Sequence, residues 1–301
     1  MAAESASAAE GRAGIRSRTK YLVAAYPSVL LGLLFVIPLL MLVVFSFYLN
    51  VNGGYFKPGF TFENYVRFFT HRLYRGQLLF TLQISFVTTL ITLVLGYPLA
   101  YYLSRMNNGL VRRAVMILVV STLWITYVIR AYVWTVLLAK SGPISKIGVA
   151  LGILPEPTGW TPGYWALVIG MAYAFLPFMI LSLYNSLKNI DGELIEASKN
   201  LGAGPLETFR RVTLPLSKNG VISGSALVFI LSLGVYVLPK ILGSPSQWTI
   251  AIIIGDQVNQ QQNIPFAAAM SIALMVVVVV ILGAVARFTD VSAIGMGGDV
   301  Q

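Results

Sequence analysis

The sequence predicts an all-α polytopic membrane protein with six transmembrane helices. Hydrophobic residues make up 57% of the 301 residues and charged residues only 11%, whereas about a quarter of the residues in a soluble domain are charged. A helix needs about 20 mostly apolar residues to cross a bilayer. The segments that meet this requirement are 22–48, 78–103, 114–138, 164–187, 219–242 and 265–287.

Composition also excludes several classes of site. The chain has no cysteine, so it can form neither a disulfide framework nor a thiolate metal site. His71 is its single histidine, which rules out a multi-histidine metal cluster, and no metal site is predicted. The net charge of +10 would suit a nucleic-acid partner. However, the Lys and Arg residues mostly flank apolar spans, so membrane topology explains them better and we expect no nucleic-acid partner.

The two ends of the chain are predicted to be tails around a membrane domain at residues 21–290. Residues 1–20 are small, polar and basic, which is typical of a disordered segment, and residues 291–301 form the C-terminal tail. The apolar run from Tyr21 to about Leu49 is too long for the core of a signal peptide. It therefore predicts a first span that is retained.

Positive charge sets the predicted orientation. With the N-terminus in the cytoplasm, the inner loops hold more Lys and Arg than the outer loops, which favours a cytoplasmic N-terminus and C-terminus. The first outer loop, about residues 50–77, is predicted to contain a short interfacial helix near residues 61–74. The segment 141–162 is too short to span the membrane and is interpreted as an outer re-entrant or surface element.

Several predicted spans contain residues that break helices, namely Pro38, Pro98, Pro177, Gly234 and Pro239. A membrane helix tolerates such residues where neighbouring helices or a cavity satisfy the freed backbone groups. They would suit a structure that opens and closes, and packing alone would also explain most of them.

One predicted inner loop, residues 188–218, is densely charged and has the pattern of two short helices. Asp191 can cap the first helix. Gly202 stands where a helix ends in a left-handed residue, and Pro205 fits the first turn of a second helix. Leu214-Pro215 is predicted to end that helix. The sequence therefore predicts a helix–turn–helix, with a plain solvated connection as the alternative.

Residues in this loop follow a regular spacing: Glu196-Ala197-Ser198 is followed by three residues, Gly202, nine residues, Val212, one residue and Leu214-Pro215. This spacing resembles the EAA signature of ABC importer permeases. Ser198 replaces the usual alanine and Val212 the usual isoleucine. Three further segments resemble the first permease subunit of spermidine/putrescine ABC importers: 125–142, 170–191 and 234–244. Asn200, where that family often has an acid, is a further departure.

The resemblance implies a type I importer in the bacterial cytoplasmic membrane. Its partners would be a second permease subunit, two cytoplasmic ABC ATPase subunits and an external substrate-binding protein. Because the chain has no G-x-x-x-x-G-K-[ST] phosphate-binding motif, ATP and Mg²⁺ are expected on the ATPase, and the chain is expected to be neither an enzyme nor a holder of a cofactor. The residues implied to couple to the ATPase are Glu196, Ala197, Ser198, Gly202, Leu214 and Pro215. In that family Glu196 would meet a basic group and Gly202 would allow the bend.

Candidate residues for a substrate path come from the spacing of polar and aromatic side chains. Ser225, Phe229, Ser232 and Tyr236 recur at helical spacing on the predicted fifth span, and either a path or helix packing would explain them. Tyr127, Tyr132, Trp134 and Tyr173 could hold a cationic amine by cation–π attraction or anchor the membrane interface. Thr81, Ser85, Thr88 and Thr92 form a stripe on the second span, which indicates helix packing or a path.

Arg130 is the one charge well inside a predicted span. A charge inside a membrane is costly and commonly functional, so we expect a gating or packing role, with the side chain reaching outward from its helix. Direct contact with a cationic substrate would bring like charges together. The predicted spans contain no acidic residue at mid-depth, which predicts a low-affinity path with selectivity in the binding protein.

Three other functions compete with a polyamine importer. The first is an ABC importer for another solute, such as an opine or an amino-acid derivative. The second is a secondary transporter or channel, for which the loop spacing would be accidental. A membrane-embedded enzyme is disfavoured, because the predicted spans lack paired carboxylates, a His/Cys set and a nucleophile with a nearby base.

Overall fold

The computed structural model describes residue 27, residues 29–51 and residues 54–288; the predicted tails lie outside these residues. An antiparallel hairpin of β1 (Leu49–Val51) and β2 (Gly54–Lys57) follows the first helix. The helices in chain order are α1 (Val29–Ser46), α2 (Glu63–Thr70), α3 (Arg72–Arg105), α4 (Gly109–Ser121), α5 (Tyr127–Leu137), α6 (Pro143–Ala150), α7 (Tyr164–Lys188), α8 (Gly192–Asn200), α9 (Pro205–Thr208), α10 (Leu214–Leu216), α11 (Lys218–Leu233), α12 (Val237–Leu242), α13 (Ile250–Asn259) and α14 (Ile264–Phe288).

The predicted all-α membrane fold is confirmed. Four described helices, α1, α3, α7 and α14, are long and apolar enough to cross a membrane, and the number rises to six if two bent helix pairs each count as one span. Helix α3 contains the whole predicted second span. At 34 residues it is about 51 Å long, which exceeds the ~30 Å hydrocarbon core. It therefore extends out of the bilayer at one end or both.

The predicted third span at 114–138 is broken in the structure. Helix α4 and the 3₁₀ turn Thr122–Trp124 meet α5 at an angle of 99°. Hydroxyl side chains bond to the backbone on both sides of the break. Thr122 Oγ1 donates to the carbonyl of Val119 at 2.7 Å, and the Thr126 side chain accepts from the backbone N–H of Ile129 as the N-cap of α5.

The predicted fifth span at 219–242 is also broken, in the part that contains the predicted helix breakers Gly234 and Pro239. Helix α11 ends at Leu233 and α12 starts at Val237. Pro239 has no N–H, so the carbonyl of Val235 loses the helical partner that it would otherwise have. Thr249 Oγ1 donates to this carbonyl at 3.1 Å instead. The break is thus satisfied by a side chain from the following loop.

Two of the shorter elements were predicted from the sequence and two were not. Helix α2 lies within residues 61–74, as predicted, and α6 is a short helix within 141–162. The β-hairpin and the ten-residue apolar helix α13 were not predicted. Helices α3 and α7 continue through Pro98 and Pro177, so these two prolines do not end their helices.

Helix α7 is the centre of the bundle and packs against α3 and α11. Glycines bring these helices close together, as is common between membrane helices. A Cβ on Gly96 of α3 would lie 3.2 Å from Met179 Cγ, and one on Gly220 of α11 would lie 2.4 Å from Ser186 Cβ. In contrast, only 6% of the α1 span is buried, so its apolar surface is left for lipid or another subunit.

The hydroxyl stripe on α3 is an internal packing surface. Its members Thr81, Ser85, Thr88 and Thr92 are all fully buried. Thr81 Oγ1 accepts the backbone N–H of Ile250 at 2.8 Å, and Thr88 Oγ1 lies 4.0 Å from Met171 Sδ. The structure therefore supports the packing interpretation of this stripe.

Candidate functional site

The charged loop between α7 and α11 folds as the predicted helix–turn–helix. Asp191 caps α8, and its carboxylate accepts the backbone N–H of Glu193 at 3.1 Å. Gly202 has a φ of +87°, the left-handed conformation that glycine adopts at low cost. The backbone N–H of Ala203 donates to the carbonyl of Ser198 at 3.2 Å across this turn. Pro205 is the first residue of α9. These local predictions are confirmed.

The two arms of the loop are joined by a side-chain contact. Ser198 Oγ on α8 and Thr208 Oγ1 on α9 lie 3.1 Å apart and share a hydrogen bond. Thr208 is buried in this contact and Ser198 is half-buried. The serine that replaces the usual alanine of the EAA pattern thus has a structural partner. Because the bond crosses the turn, it fixes the angle between the arms.

The prediction that Leu214-Pro215 ends the second helix is wrong by two residues. The chain forms a π-helical turn at Phe209–Thr213 and stays helical through α10. The π turn shifts the backbone pairing, so that the N–H of Leu214 donates to the carbonyl of Phe209, and Pro215 lies in the first turn of α10, where its missing N–H is tolerated. The chain bends by 63° only at Ser217, before α11.

The tip of this loop presents apolar side chains to solvent. Leu201 is 89% exposed and Leu206 is 79% exposed, on either side of the Gly202 turn. Glu196 and Ala197 are exposed on α8, and Glu196 forms no ion pair with another described residue. Exposed leucines with charged neighbours are typical of a surface that another protein covers.

A groove of about 410 Å³ lies beside the same turn. Ser198 and Gly202 are among the residues that line it, and the ion pair of Glu207 and Arg211 stands in its wall with an N–O distance of 3.1 Å. Both charged side chains are largely exposed, so this pair contributes little stability. The loop as a whole offers an apolar tip, a groove and charges of both signs.

A second group of predicted residues comes together around the broken third span. The guanidinium of Arg130 lies 5.3 Å from the ring of Tyr127, and the ring of Tyr173 packs on Trp134 with centroids 5.6 Å apart. Arg130, Trp134 and Tyr173 line a small pocket of about 230 Å³. Tyr127 and Tyr173 are each 37% exposed, so both rings retain an open face.

The expectation that Arg130 reaches outward to solvent is wrong. Its side chain is only 4% exposed. One Nη donates to the carbonyl of Ala174 on α7 at 3.2 Å, and the other donates to the carbonyl of Thr122. Arg130 therefore holds the broken span against α7.

Tyr236 lies outside the helix that carries the rest of its predicted stripe. Ser232 is buried and Phe229 is half-buried on α11, but this helix ends before Tyr236. The prediction that Ser225, Phe229, Ser232 and Tyr236 lie in one helical row is therefore wrong for Tyr236. Its hydroxyl accepts a hydrogen bond of 2.6 Å from Nζ of Lys240, whose ammonium lies 4.9 Å from the ring centroid. No hydrogen bond or ring contact among the described residues joins Tyr236 to the Arg130 group.

Helix α13 brings an acidic residue, Asp256, close to Tyr236 and Lys240. A Cβ on Gly255 would lie 2.8 Å from the ring of Tyr236, so α13 packs directly on the tyrosine. Asp256 follows, is half-buried, and interacts electrostatically with Lys240. Asp256 lies outside the predicted spans, so the expectation that the spans hold no acid at mid-depth is not contradicted, and an acid nevertheless lies near Tyr236. The signal in the sequence was the apolar run Ile250–Gly255 that ends at Asp256.

Comparison with known proteins identifies the family. Residues 92–290 match the family described as binding-protein-dependent transport system inner membrane component. The chain belongs to this family. The matched part of this permease includes α4, α5 and α7, the whole charged loop and helices α11 to α14.

Two relatives align with most of this permease. The spermidine/putrescine transport system permease protein PotB of Escherichia coli is 34% identical over 243 residues, which is 80% of this chain and 87% of the relative. The inner membrane ABC transporter permease protein YdcU of Escherichia coli is 33% identical over 223 residues, 69% of each chain.

Solved structures share the fold. A chain of a bacterial ABC transporter involved in the import of the acidic polysaccharide alginate superposes with a TM-score of 0.69 at 18% identity, covering 91% of this permease and 98% of that chain. A chain of the MetNI methionine ABC transporter, in inward-facing conformations, gives a TM-score of 0.54 at 24% identity, covering 72% and 94%. These likenesses establish the architecture of an ABC importer permease.

Proposed function

We propose that this permease is one subunit of an ATP-driven importer for polyamines such as putrescine and spermidine. The 34% identity to a spermidine/putrescine permease, over 80% of the chain, is the observation that carries this proposal. An external binding protein delivers the substrate. A second permease completes the path, and two ABC ATPase subunits bind ATP and Mg²⁺ and hydrolyse the nucleotide, so this chain performs no chemistry of its own.

The charged loop is proposed as the contact with the ATPase. Its exposed Leu201 and Leu206 supply apolar area, and Glu196 supplies an unpaired negative charge for a basic group of the partner. Gly202 sets the turn between α8 and α9. Ala197 is exposed on α8, and Ser198 contacts Thr208 on α9. Leu214-Pro215 connects the loop to α11, so a push on the tip moves a membrane helix.

This role requires the loop to lie in the cytoplasm. We propose that the N-terminus and C-terminus are also cytoplasmic, which follows from the excess of Lys and Arg in the inner loops. The proposed division of the chain keeps tails at 1–20 and 291–301 and a membrane domain at 21–290.

The path is proposed to pass Tyr236. A tyrosine ring and hydroxyl can replace part of the hydration of an ammonium group, and Lys240 already places an ammonium against both. Ser232 and Phe229 on α11 and the open faces of Tyr127 and Tyr173 are proposed to continue the path. Arg130 is proposed to fix the shape of this wall rather than to touch the cation.

We expect Tyr236→Ala to lower the maximal rate of putrescine uptake about tenfold, because it removes both a ring face and a hydroxyl that serve an ammonium. The affinity of the separate binding protein for putrescine should not change. Tyr236→Phe, which keeps the ring, should lose only a part of the rate. Tyr102→Ala is a matched control, since Tyr102 is 65% exposed on α3. An unchanged rate in Tyr236→Ala at normal expression would remove Tyr236 from the path.

The substrate class is tested by competition in cells. We expect unlabelled putrescine or spermidine to block uptake of the labelled solute that this transporter imports, and deletion of the gene to abolish the competed component. The relationship to YdcU, whose name specifies no substrate, keeps an importer for another solute as the second candidate. Failure of both amines to compete, together with a binding protein that binds an anion or a sugar, would favour that candidate.

A further inference from the structure

A polar cavity of about 610 Å³ lies where the end of α7 meets the start of α11, beside the first turn of α8. This volume falls in the range of small-molecule sites. Hydroxyl and carboxamide side chains from both long helices line it: Ser182, Asn185, Ser186, Asn189, Asn219 and Ser223. None of the roles described above uses this cavity.

The helix packing shapes the cavity. Gly220 and Gly224 let α11 touch α7, since a Cβ at either position would approach Ser186 or Met179 to 3.0 Å or less. Ser182 Oγ and Ser223 Oγ in the cavity wall lie 3.0 Å apart. At the loop, Asp191 and Leu194 of α8 complete the lining.

The lining side chains have free hydrogen-bonding capacity. The carboxamides of Asn185, Asn189 and Asn219 make no hydrogen bond to any described residue. Each amide oxygen can accept two hydrogen bonds, as can a hydroxyl. An ammonium group has three donors and no acceptor, so such a wall suits it. A tight site is not required, because a transported solute has to leave.

The negative charge of Asp191 favours a cationic ligand in this cavity. Asp191 is the one charged residue among those that line the cavity, and it is exposed. Lys188 and Lys218 are exposed neighbours in the sequence but do not line the cavity. A cation inside would be attracted to Asp191, and an anion would be repelled.

We propose that this cavity is the last binding site of the transported cation before release, with Asp191 accepting one ammonium group. The inference rests on the proposed function and adds a site to it. One oxygen of Asp191 also caps α8, at 3.1 Å from the backbone nitrogen of Glu193. An ammonium and the first turn of the ATPase-contacting helix thus share one carboxylate. Occupancy of the cavity is thereby linked to the loop that joins the ATPase.

The test uses Ser223→Cys in the assembled transporter in nanodiscs. The chain has no native cysteine, so a maleimide reports on this position alone within the subunit, and Ser223 is exposed on the cavity wall. We expect putrescine to slow the labelling, and 1,4-butanediol, which has the same length without charge, to have no effect. Equal protection by both compounds would overturn the proposal.

Asp191→Asn then isolates the charge, because asparagine caps a helix as well as aspartate does. In this background the half-protecting concentration of putrescine should rise fivefold or more. Glu193→Gln, which removes an exposed charge outside the cavity, should change it less than twofold. Unchanged protection in Asp191→Asn contradicts the assignment of that residue. If the same preparation imports putrescine but putrescine never protects the cysteine, this inference fails alone. If the preparation imports no amine at all, the proposed function fails.

Discussion

Replacing Gly202 with valine should lower amine uptake about tenfold while the protein still reaches the membrane. Gly202 has a φ of +87°, and a residue with a Cβ pays about 1–2 kcal/mol for the left-handed conformation, more if it is β-branched. A cost of this size shifts a conformational equilibrium about 5- to 30-fold. The turn would open, and Leu201 and Leu206 would no longer present one surface to the proposed ATPase partner.

The matched control is Gly204→Val, two residues along the same turn. A Cβ at either glycine would have no atom within 4 Å, so neither variant creates a clash. Gly204 has φ −69° and ψ 169°, which valine adopts readily. We expect the control to keep uptake within about twofold of the parent. Equal uptake by the two variants would show that the left-handed turn has no part in coupling.

The charged loop could be predicted from the sequence because its determinants are local. An aspartate that caps a helix, a glycine with positive φ and a proline in a first turn each act within a few residues. Asp191, Gly202 and Pro205 therefore lie where residue type alone places them. Pro215 does not, because the π turn before it shifts the backbone pairing by one residue, and residue type carries no sign of that shift.

The breaks in the third and fifth spans could not be predicted from hydropathy. Apolar residues continue across both breaks, so a count of apolar residues registers one helix. Side-chain hydrogen bonds accompany both breaks: Thr122 bonds to a carbonyl within its own turn, and Thr249 satisfies the carbonyl of Val235 from 14 residues away. Tyr236 lies outside the predicted row because a helical period holds only while the helix continues.

The contacts of Arg130 and the position of Asp256 are visible only in the tertiary structure. The sequence shows that Arg130 is an unusual charge within an apolar segment, but not that two carbonyls on different elements, Thr122 and Ala174, hold it. Asp256 follows an apolar run too short to span a membrane, and only the packing of α13 on Tyr236 brings it to the candidate path.

The energy for transport is expected to come from partner proteins and not from this chain. The loop tip exposes apolar side chains that a partner would cover, and the chain has no phosphate-binding motif. Transport should therefore depend entirely on partner proteins. Without an ATPase, the permease subunits should accumulate no substrate against a gradient, whatever ion gradient is imposed.

Uptake by proteoliposomes tests the central claim most directly. The complex of this chain, the second permease and the ATPases is reconstituted with ATP inside, and labelled putrescine with the binding protein is added outside. We predict accumulation that falls to background when a non-hydrolysable nucleotide replaces ATP, and again when the binding protein is omitted. Accumulation driven by a proton or sodium gradient in liposomes that contain only this chain would contradict the account and identify a secondary transporter.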